Sequence, residues 1–300
     1  MAGSIRGCDM SEAQALGLGP GRARPAARLL RYHRTAIVAA AVIVALALLA
    51  VFGPWLSPYS YDTLDWQHLA IAPGFVASHW LGTDPLGRDL YVRTLYGLRV
   101  SLLIGVLATA VSVGIGVAWG TVAGYVGGRT DSWMMRAVDV LYALPYLFVV
   151  IILATVFGRG SVAMLLIAIG AVGWLTMARV VRGQTLSLKR REFIEAARAT
   201  GLGTPAILLR HIVPNLAGTV AVYATLTIPE LITYESFLSF LGLGVQEPLA
   251  SLGSLINEGA RQMLTAPWML LVPAGFLVAL LLCFNLLGDG LRDALDPTGR

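Results

Sequence analysis

The chain has 300 residues, 57% of them hydrophobic and 13% charged, with a formal net charge of +5 and a pI near 9.5. Soluble domains carry roughly 25% charged residues, so this composition excludes a single water-soluble core and points to a bilayer as the solvent. The cations border apolar segments and form no basic stripe with interleaved aromatics, which excludes nucleic acid as a partner and assigns the charge to membrane orientation.

Residues 1–34 read as a cytoplasmic tail, Gly- and Ala-rich and disordered over 1–20, with arginines at Arg22, Arg24, Arg28, Arg31 and Arg34. Six stretches are then long enough to cross about 30 Å of hydrocarbon. They lie near 35–55, 101–123, 137–157, 161–178, 215–236 and 267–287. The first is expected to be a retained anchor: its apolar run exceeds a signal-peptide core, and no small-x-small cleavage site follows it. Gly158 to Gly160 predicts a tight hairpin between the third and fourth spans. The expected organisation is a tail over 1–34, a first transmembrane helix over 35–56 and a periplasmic loop over 57–100. A permease core of five spans over 101–288, with an inner loop at 179–214, precedes a cytoplasmic tail over 289–300.

With the N-terminus inside, 17 Lys and Arg fall on the inner side and 5 on the outer side, namely Arg88, Arg93, Arg99, Arg159 and Arg261. That bias predicts both termini in the cytoplasm.

Several chemistries are missing. The one lysine, Lys189, follows no glycine-rich loop, so the chain has no P-loop for ATP. Cys8 lies in the polar tail and Cys283 in an apolar run, which argues against a disulfide or a metal pair. His33, His68, His79 and His211 match no zinc-protease spacing, and no metal site is expected. No inverted repeat or discontinuous helix of a secondary transporter is apparent, and no span holds a histidine for an intramembrane protease.

The inner loop carries the strongest local signals. A helix is predicted over about 191–200, with Glu192 and Glu195 in its first turn and Gly201 as its C-terminal stop. A second helix is predicted to start at Thr204 as N-cap and Pro205 as first position, with Pro214 at the entry to the fifth span. Phe193 and Ala197 share a face at i, i+4 spacing, with Ala196 beside them and Glu195 offering a charged contact. This is either a knob that seats in a partner's groove or a surface loop with a capped helix.

Glu230 and Glu235 lie inside the fifth span, where a carboxylate costs roughly 2.5–3.5 kcal/mol unless it faces protein or water. Each is a polar lining of a translocation path, an interface hydrogen bond or a position near the membrane surface. Asp139 sits near the inner end of the third span. Ser112, Gly116, Gly120 and Gly124 recur every four residues in the second span, a stripe that lets helices approach closely. In the outer loop, Asp84 or Asp89 is expected to pair with Arg88 or Arg93.

Glu195-Ala196-Ala197, Gly201 and Pro214 together resemble the EAA loop of binding-protein-dependent ABC importer permeases. The stretch from Arg182 to Ala197 is similar to the C-subunit family of oligopeptide permeases. Leu81-Gly-Thr-Asp84-Pro-Leu-Gly87-Arg88-Asp89, Glu235 to Gly244 and Gly288 to Pro297 resemble the oligopeptide, dipeptide and nickel branch, and the likeness runs from about Leu29 to the C-terminus. His211 stands where the EAA motif often has Ile, and Glu230 has no counterpart expected from the resemblance.

The resemblance implies an all-α polytopic protein of six transmembrane helices with the type I ABC importer permease fold and a cytosolic EAA coupling helix. It implies a permease subunit in the bacterial inner membrane, without an ATPase site, that translocates oligopeptides by alternating access. Glu192, Phe193, Glu195, Ala196, Ala197 and Gly201 would couple it to two ATP-binding subunits, which hold the ATP and Mg. A homologous second permease subunit would complete the path, and a periplasmic or lipid-tethered peptide-binding protein would deliver substrate.

Overall fold

A computed structural model describes residues 24–74, 78–156 and 162–295. The expectations for residues 1–23, for Cys8, for the hairpin at Gly158 to Gly160 and for the tail beyond 295 lie outside the described residues.

Among the described residues the regular elements are all helices, apart from a lone antiparallel bridge between Thr83 and Asp89. Helix α1 spans Arg24–Phe52 and ends in a single 3-10 turn, Gly53–Leu56. A loop over 57–89 leads to α2, Leu90–Val126. Then come α3, Gly128–Ala143, α4, Tyr146–Val156, and α5, Val162–Leu188. The short α6, Glu192–Ala199, is followed by α7, Thr204–Ile207, a π-turn over Leu208–Ile212, and α8, Val213–Phe240. Helices α9, Leu252–Arg261, and α10, Trp268–Leu295, complete the fold.

Among the described residues, five helices are long and apolar enough to cross a membrane: Arg34–Leu56, Leu90–Val126, Leu165–Leu188, Thr204–Phe240 and Trp268–Ala294. The expected third span is not one continuous helix. Gly128–Ala143 and Tyr146–Leu153 meet at a bend of 87°, and the count reaches six only if this pair is a single span. Pro145 sits at the break; it has no N–H to give Leu141 and its ring crowds that carbonyl, which favours a break there. This also corrects the expectation that the chain contains no discontinuous helix.

The first candidate span, Arg34–Leu56, agrees with the expected 35–56, and the helix that carries it extends back to Arg24. Helix α2 begins at Leu90, not near 101, because the Asp89 side chain caps it by accepting the Val92 N–H at 2.8 Å. Arg99, expected in the loop, lies inside α2 and donates to the Ala50 and Val51 carbonyls at the end of α1. Pro214 falls in the first turn of α8, at the expected entry, but the chain ahead of it is already helical. The π-turn over Leu208–Ile212 widens the backbone just before it, and Thr204–Phe240 runs on as one 37-residue span.

At about 1.5 Å per residue, the 37 residues of α2 reach about 55 Å, well beyond a bilayer's hydrocarbon core. Its N-terminal end carries the 57–89 loop and its C-terminal end meets α6. Helix α5 packs along it through the predicted small-residue stripe. A Cβ on Gly120 would lie 2.5 Å from the Ala178 carbonyl, one on Gly116 would meet Met177 at 2.6 Å, and one on Gly124 would meet Arg182 O at 2.9 Å. Ser112 Oγ donates to Gly170 O across the same contact at 3.1 Å. Lipid competes equally for apolar side chains, so close van der Waals packing of this kind, not hydrophobic burial, holds the spans together.

Candidate functional site

Two places combine exposure with organised chemistry: the knob around α6 at one end of α2, and the polar surface beside the Pro145 break.

Helix α6 begins with Glu192 and Glu195 in its first turn and has Arg198 in its last, complementing the helix dipole at both ends. It stops in a Schellman turn. Gly201 takes φ +81°, its N–H reaches Arg198 O at 2.9 Å, and the Leu202 N–H reaches Ala197 O at 3.2 Å. Ile194 and Ala197 face inward, onto a cluster with Met177, Val181, Ile207, Ile212 and Leu216. Ile194 is fully buried, and outside the membrane that burial contributes roughly 1.5–3 kcal/mol. Arg198 sits over the Tyr125 ring at 5.0 Å and donates to its hydroxyl at 3.1 Å. The knob is therefore rooted in α2, α5, α7 and the turn into α8.

The outward face is Glu192, Phe193, Glu195 and Ala196, all exposed. Phe193 is 41% exposed and Ala197 only 7%. The expected pairing of Phe193 with Ala197 on one presented face is thus corrected. Four residues advance a helix by more than a full turn, and the strong apolar anchor at Ile194 rotates Ala197 inward with it. Ile194 was overlooked because it is one apolar residue in a charged stretch; its i, i+3 spacing from Ala197 was the available signal.

The two carboxylates of the fifth span have opposite fates. Glu235 has no exposed surface. It accepts hydrogen bonds from Ser239 Oγ at 2.7 Å, Ser101 Oγ at 2.8 Å and Ser236 Oγ at 3.3 Å. Ser101 Oγ in turn accepts the Leu252 N–H at the start of α9 at 3.2 Å. Glu235 therefore ties α2 to α8 directly and, through Ser101, reaches the start of α9. These contacts are those of the interface hydrogen-bond reading of Glu235.

Glu230 is exposed and borders a cavity of about 200 Å³ lined by Leu141, Tyr142, Leu144, Tyr146, Val172, Leu175 and Tyr234. The Tyr234 hydroxyl donates to it at 2.9 Å. The Tyr146 and Tyr234 rings lie 4.2 Å apart. Pro145 was visible in the sequence within an apolar run and could have located this cavity. Asp139 accepts from Arg179 at 2.8 Å near its edge, and the Arg179 guanidinium lies 4.1 Å from the Tyr142 ring centre.

At the opposite end of α2, Asp84 organises the loop. Its Oδ1 accepts the Leu86 and Arg88 N–H groups at 2.9 Å, and its Oδ2 accepts from Arg88 at 2.6 Å and Arg93 at 2.8 Å. Arg93 also bonds Glu258 in α9 at 2.8 and 3.1 Å, and Arg88 bonds Glu247 at 2.9 Å. The expected Asp84 pairing thus forms with both arginines, whereas Asp89 instead faces His79 at 2.7 Å. The partners from the 247–258 region lie more than 150 positions away in the chain, too far for a local signal. The Arg88 hydrogen bond holds the Glu247 carboxyl below its usual range. Burial opposes the Arg88 charge, but bonds to Glu247 and Asp84 outweigh it and raise its pKa. The hydrogen bond from His68 holds Asp65 below its usual range. Asp65, His68 and His79 place their donor atoms within 4.8 Å of one another, an arrangement spread over 15 residues that the sequence reading, expecting no metal, did not anticipate.

Residues 116–300 match the family described as "Binding-protein-dependent transport system inner membrane component". Residues 23–73 match the N-terminal TM domain of oligopeptide transport permease C. The chain is 52% identical over 275 residues to the oligopeptide transport system permease protein OppC of Escherichia coli (strain K12), covering 92% of this chain and 91% of that one. It is 50% identical over 273 residues to the protein of the same name from Haemophilus influenzae, covering 90% and 87%. Against the dipeptide transport system permease protein DppC of Bacillus subtilis, identity is 45% over 271 residues, covering 90% and 84%. With profile matches at both ends and relatives aligned over nine-tenths of its length, the chain belongs to the binding-protein-dependent transport system inner membrane components, in the oligopeptide transport permease C branch.

Proposed function

We propose that this chain is one permease subunit of an ATP-driven importer that carries oligopeptides across the bacterial cytoplasmic membrane by alternating access. The observation that carries the reading is α6: a short helix with a charged and aromatic outward face on a buried apolar root. Such an element suits docking into a groove of a partner and passing its motion to the spans as a rigid lever. Glu192, Phe193, Glu195 and Ala196 are the contact residues in this reading, and Ala197 and Gly201 hold them in place.

Two ATP-binding subunits then supply ATP, Mg and the hydrolysis, and this chain is not itself an enzyme. A homologous second permease subunit completes the path, and a periplasmic or lipid-tethered binding protein delivers the peptide. The Lys and Arg bias supports a reading with α6 and both termini in the cytoplasm and the 57–89 loop outside. The peptide assignment follows the relatives' names and the high identity to them.

The test is co-purification. The tagged chain, extracted in detergent, is expected to bring ATP-binding subunits with it. Glu195→Ala is expected to lower both that recovery and peptide uptake while membrane insertion stays normal. Uptake by the chain alone in liposomes, or an extracellular location of Glu195, overturns the reading.

A further inference from the structure

We propose that the cavity beside the Pro145 break receives a cationic group of the translocated peptide on Glu230, the α-ammonium that peptides share regardless of sequence. This rests on the peptide-permease reading above and names the chemistry by which the path would hold its cargo.

Four observations converge on it. First, Glu230 is exposed within the span Thr204–Phe240, yet among the described residues no arginine, lysine or histidine pairs with it. Its sole side-chain partner is the Tyr234 hydroxyl, a neutral donor that leaves the negative charge uncompensated. Second, the wall is aromatic. Tyr142, Tyr146 and Tyr234 line the cavity, and ring faces attract ammonium and guanidinium groups. Arg179 already occupies one such position over Tyr142, so this surface accepts cations. Third, α3 ends here. Leu141 and Tyr142 are in its last turn, and the negative end of a helix dipole favours a cation. Fourth, a space of about 200 Å³ takes the end of a peptide and not a whole one, which suits a handhold in a longer path.

Glu235, five residues on, shows the contrast. Its oxygens are occupied by three serine hydroxyls and it has no exposed surface, so its hydrogen-bonding capacity is used within the fold. Glu230 has the chemistry of a site that waits for a counter-charge.

The experiment uses the assembled importer in proteoliposomes, with ATP supplied to the ATP-binding subunits and binding protein saturated with peptide. Uptake per ATP hydrolysed is compared for wild type, Glu230→Gln and Glu230→Asp. Three peptides are used: one with a free amine and neutral side chains, its N-acetylated form, and an N-acetylated form with one lysine. Glu230→Gln is expected to lower uptake of the free-amine peptide about tenfold, the usual weight of one charge-assisted hydrogen bond. Glu230→Asp restores part of it, and uptake of the acetylated neutral peptide does not change. Sensitivity of the acetylated lysine peptide alone overturns the α-ammonium assignment in favour of side-chain cations. Equal loss for all three peptides, no loss for any, or reduced recovery of the second permease subunit with Glu230→Gln overturns the site itself. A second readout is independent of binding-protein preference. A photo-reactive first residue on the free-amine peptide is expected to label residues 141–146 or 230–234 in wild type and about tenfold less in Glu230→Gln, and labelling elsewhere overturns the proposal. Wild type that imports no peptide at all condemns the parent reading, whereas import that ignores Glu230 condemns only this one.

Discussion

The Leu202 amide donates to the Ala197 carbonyl at 3.2 Å, closing α6 over the residue that anchors it beside Ile194. That bond exists because Gly201, between them in the chain, holds φ at +81°. The shape of the knob's end therefore depends on a backbone conformation that costs an ordinary L-residue roughly 1–2 kcal/mol.

Gly201→Ala is expected to loosen α6 without a steric clash, since a Cβ there meets no heavy atom within 4 Å. The penalty of about 1–2 kcal/mol should speed amide exchange at Leu202 by roughly five- to thirtyfold and lower peptide uptake. Gly201→Asn should recover most of the protection, because Asn tolerates the left-handed region. Equal effects of Ala and Asn would count against this account.

Gly120→Leu should be far more damaging. The added side chain meets the Ala178 carbonyl at 2.5 Å and Val181 at 2.8 Å along the α2–α5 contact. Overpacking of this kind costs about 1–3 kcal/mol or more, read as lower expression and earlier thermal unfolding in detergent. Gly114, with nothing within 4 Å of a Cβ, is the control: Gly114→Ala should leave both unchanged.

Arg93→Met takes one of two guanidinium partners from buried Asp84 and both hydrogen bonds from Glu258, while Arg88 stays on Asp84 at 2.6 Å. The loss should be about 1.5–3 kcal/mol, the weight of hydrogen bonds to charged groups, measured as a drop in thermal stability. Arg93→Lys should not rescue it, because one ammonium cannot reproduce a fork that bonds Asp84 and both Glu258 oxygens. Glu258→Gln should cost less, since Arg93 keeps Asp84 at 2.8 Å.

The 57–89 loop should weaken in acid. Asp65 and Glu247 are held below the usual carboxylate range by His68 and Arg88 respectively. A carboxyl with a depressed folded-state pKa stabilises the fold above its unfolded value, near 4, and that contribution disappears as pH falls through the folded value. Amide protection of residues 57–89, corrected for intrinsic exchange, should be level from neutrality to about pH 5 and fall below about pH 4. Asp65→Asn should flatten part of that fall.

Local signals in the sequence were enough to place α6. Glu192, Glu195 and Gly201 act within a few positions of one another, and the observed Glu192–Ala199 helix lies within one residue of the expected 191–200. The same holds for the apolar spans, whose composition alone demands lipid, and for the stripe from Ser112 to Gly124, whose spacing is intrinsic to one helix. The Pro145 break was also local, but the apolar run around it carries enough hydropathy for a span and masked the missing hydrogen bond.

Other features depended on what the folded chain brings close. Whether Phe193 or Ala197 faces outward depends on where Met177, Ile207 and Leu216 lie, and those come from separate helices. Glu230 and Glu235 are alike in sequence, yet Ser101, 134 positions from Glu235, helps bury and hydrogen-bond one, while the other faces a cavity. Arg93 meets Glu258 across 165 positions. Sequence determines what interacts within about four residues on a helix, because those neighbours are set by the helical repeat; tertiary packing decides which charge is neutralised and which remains to bind, because that depends on partners the repeat does not specify.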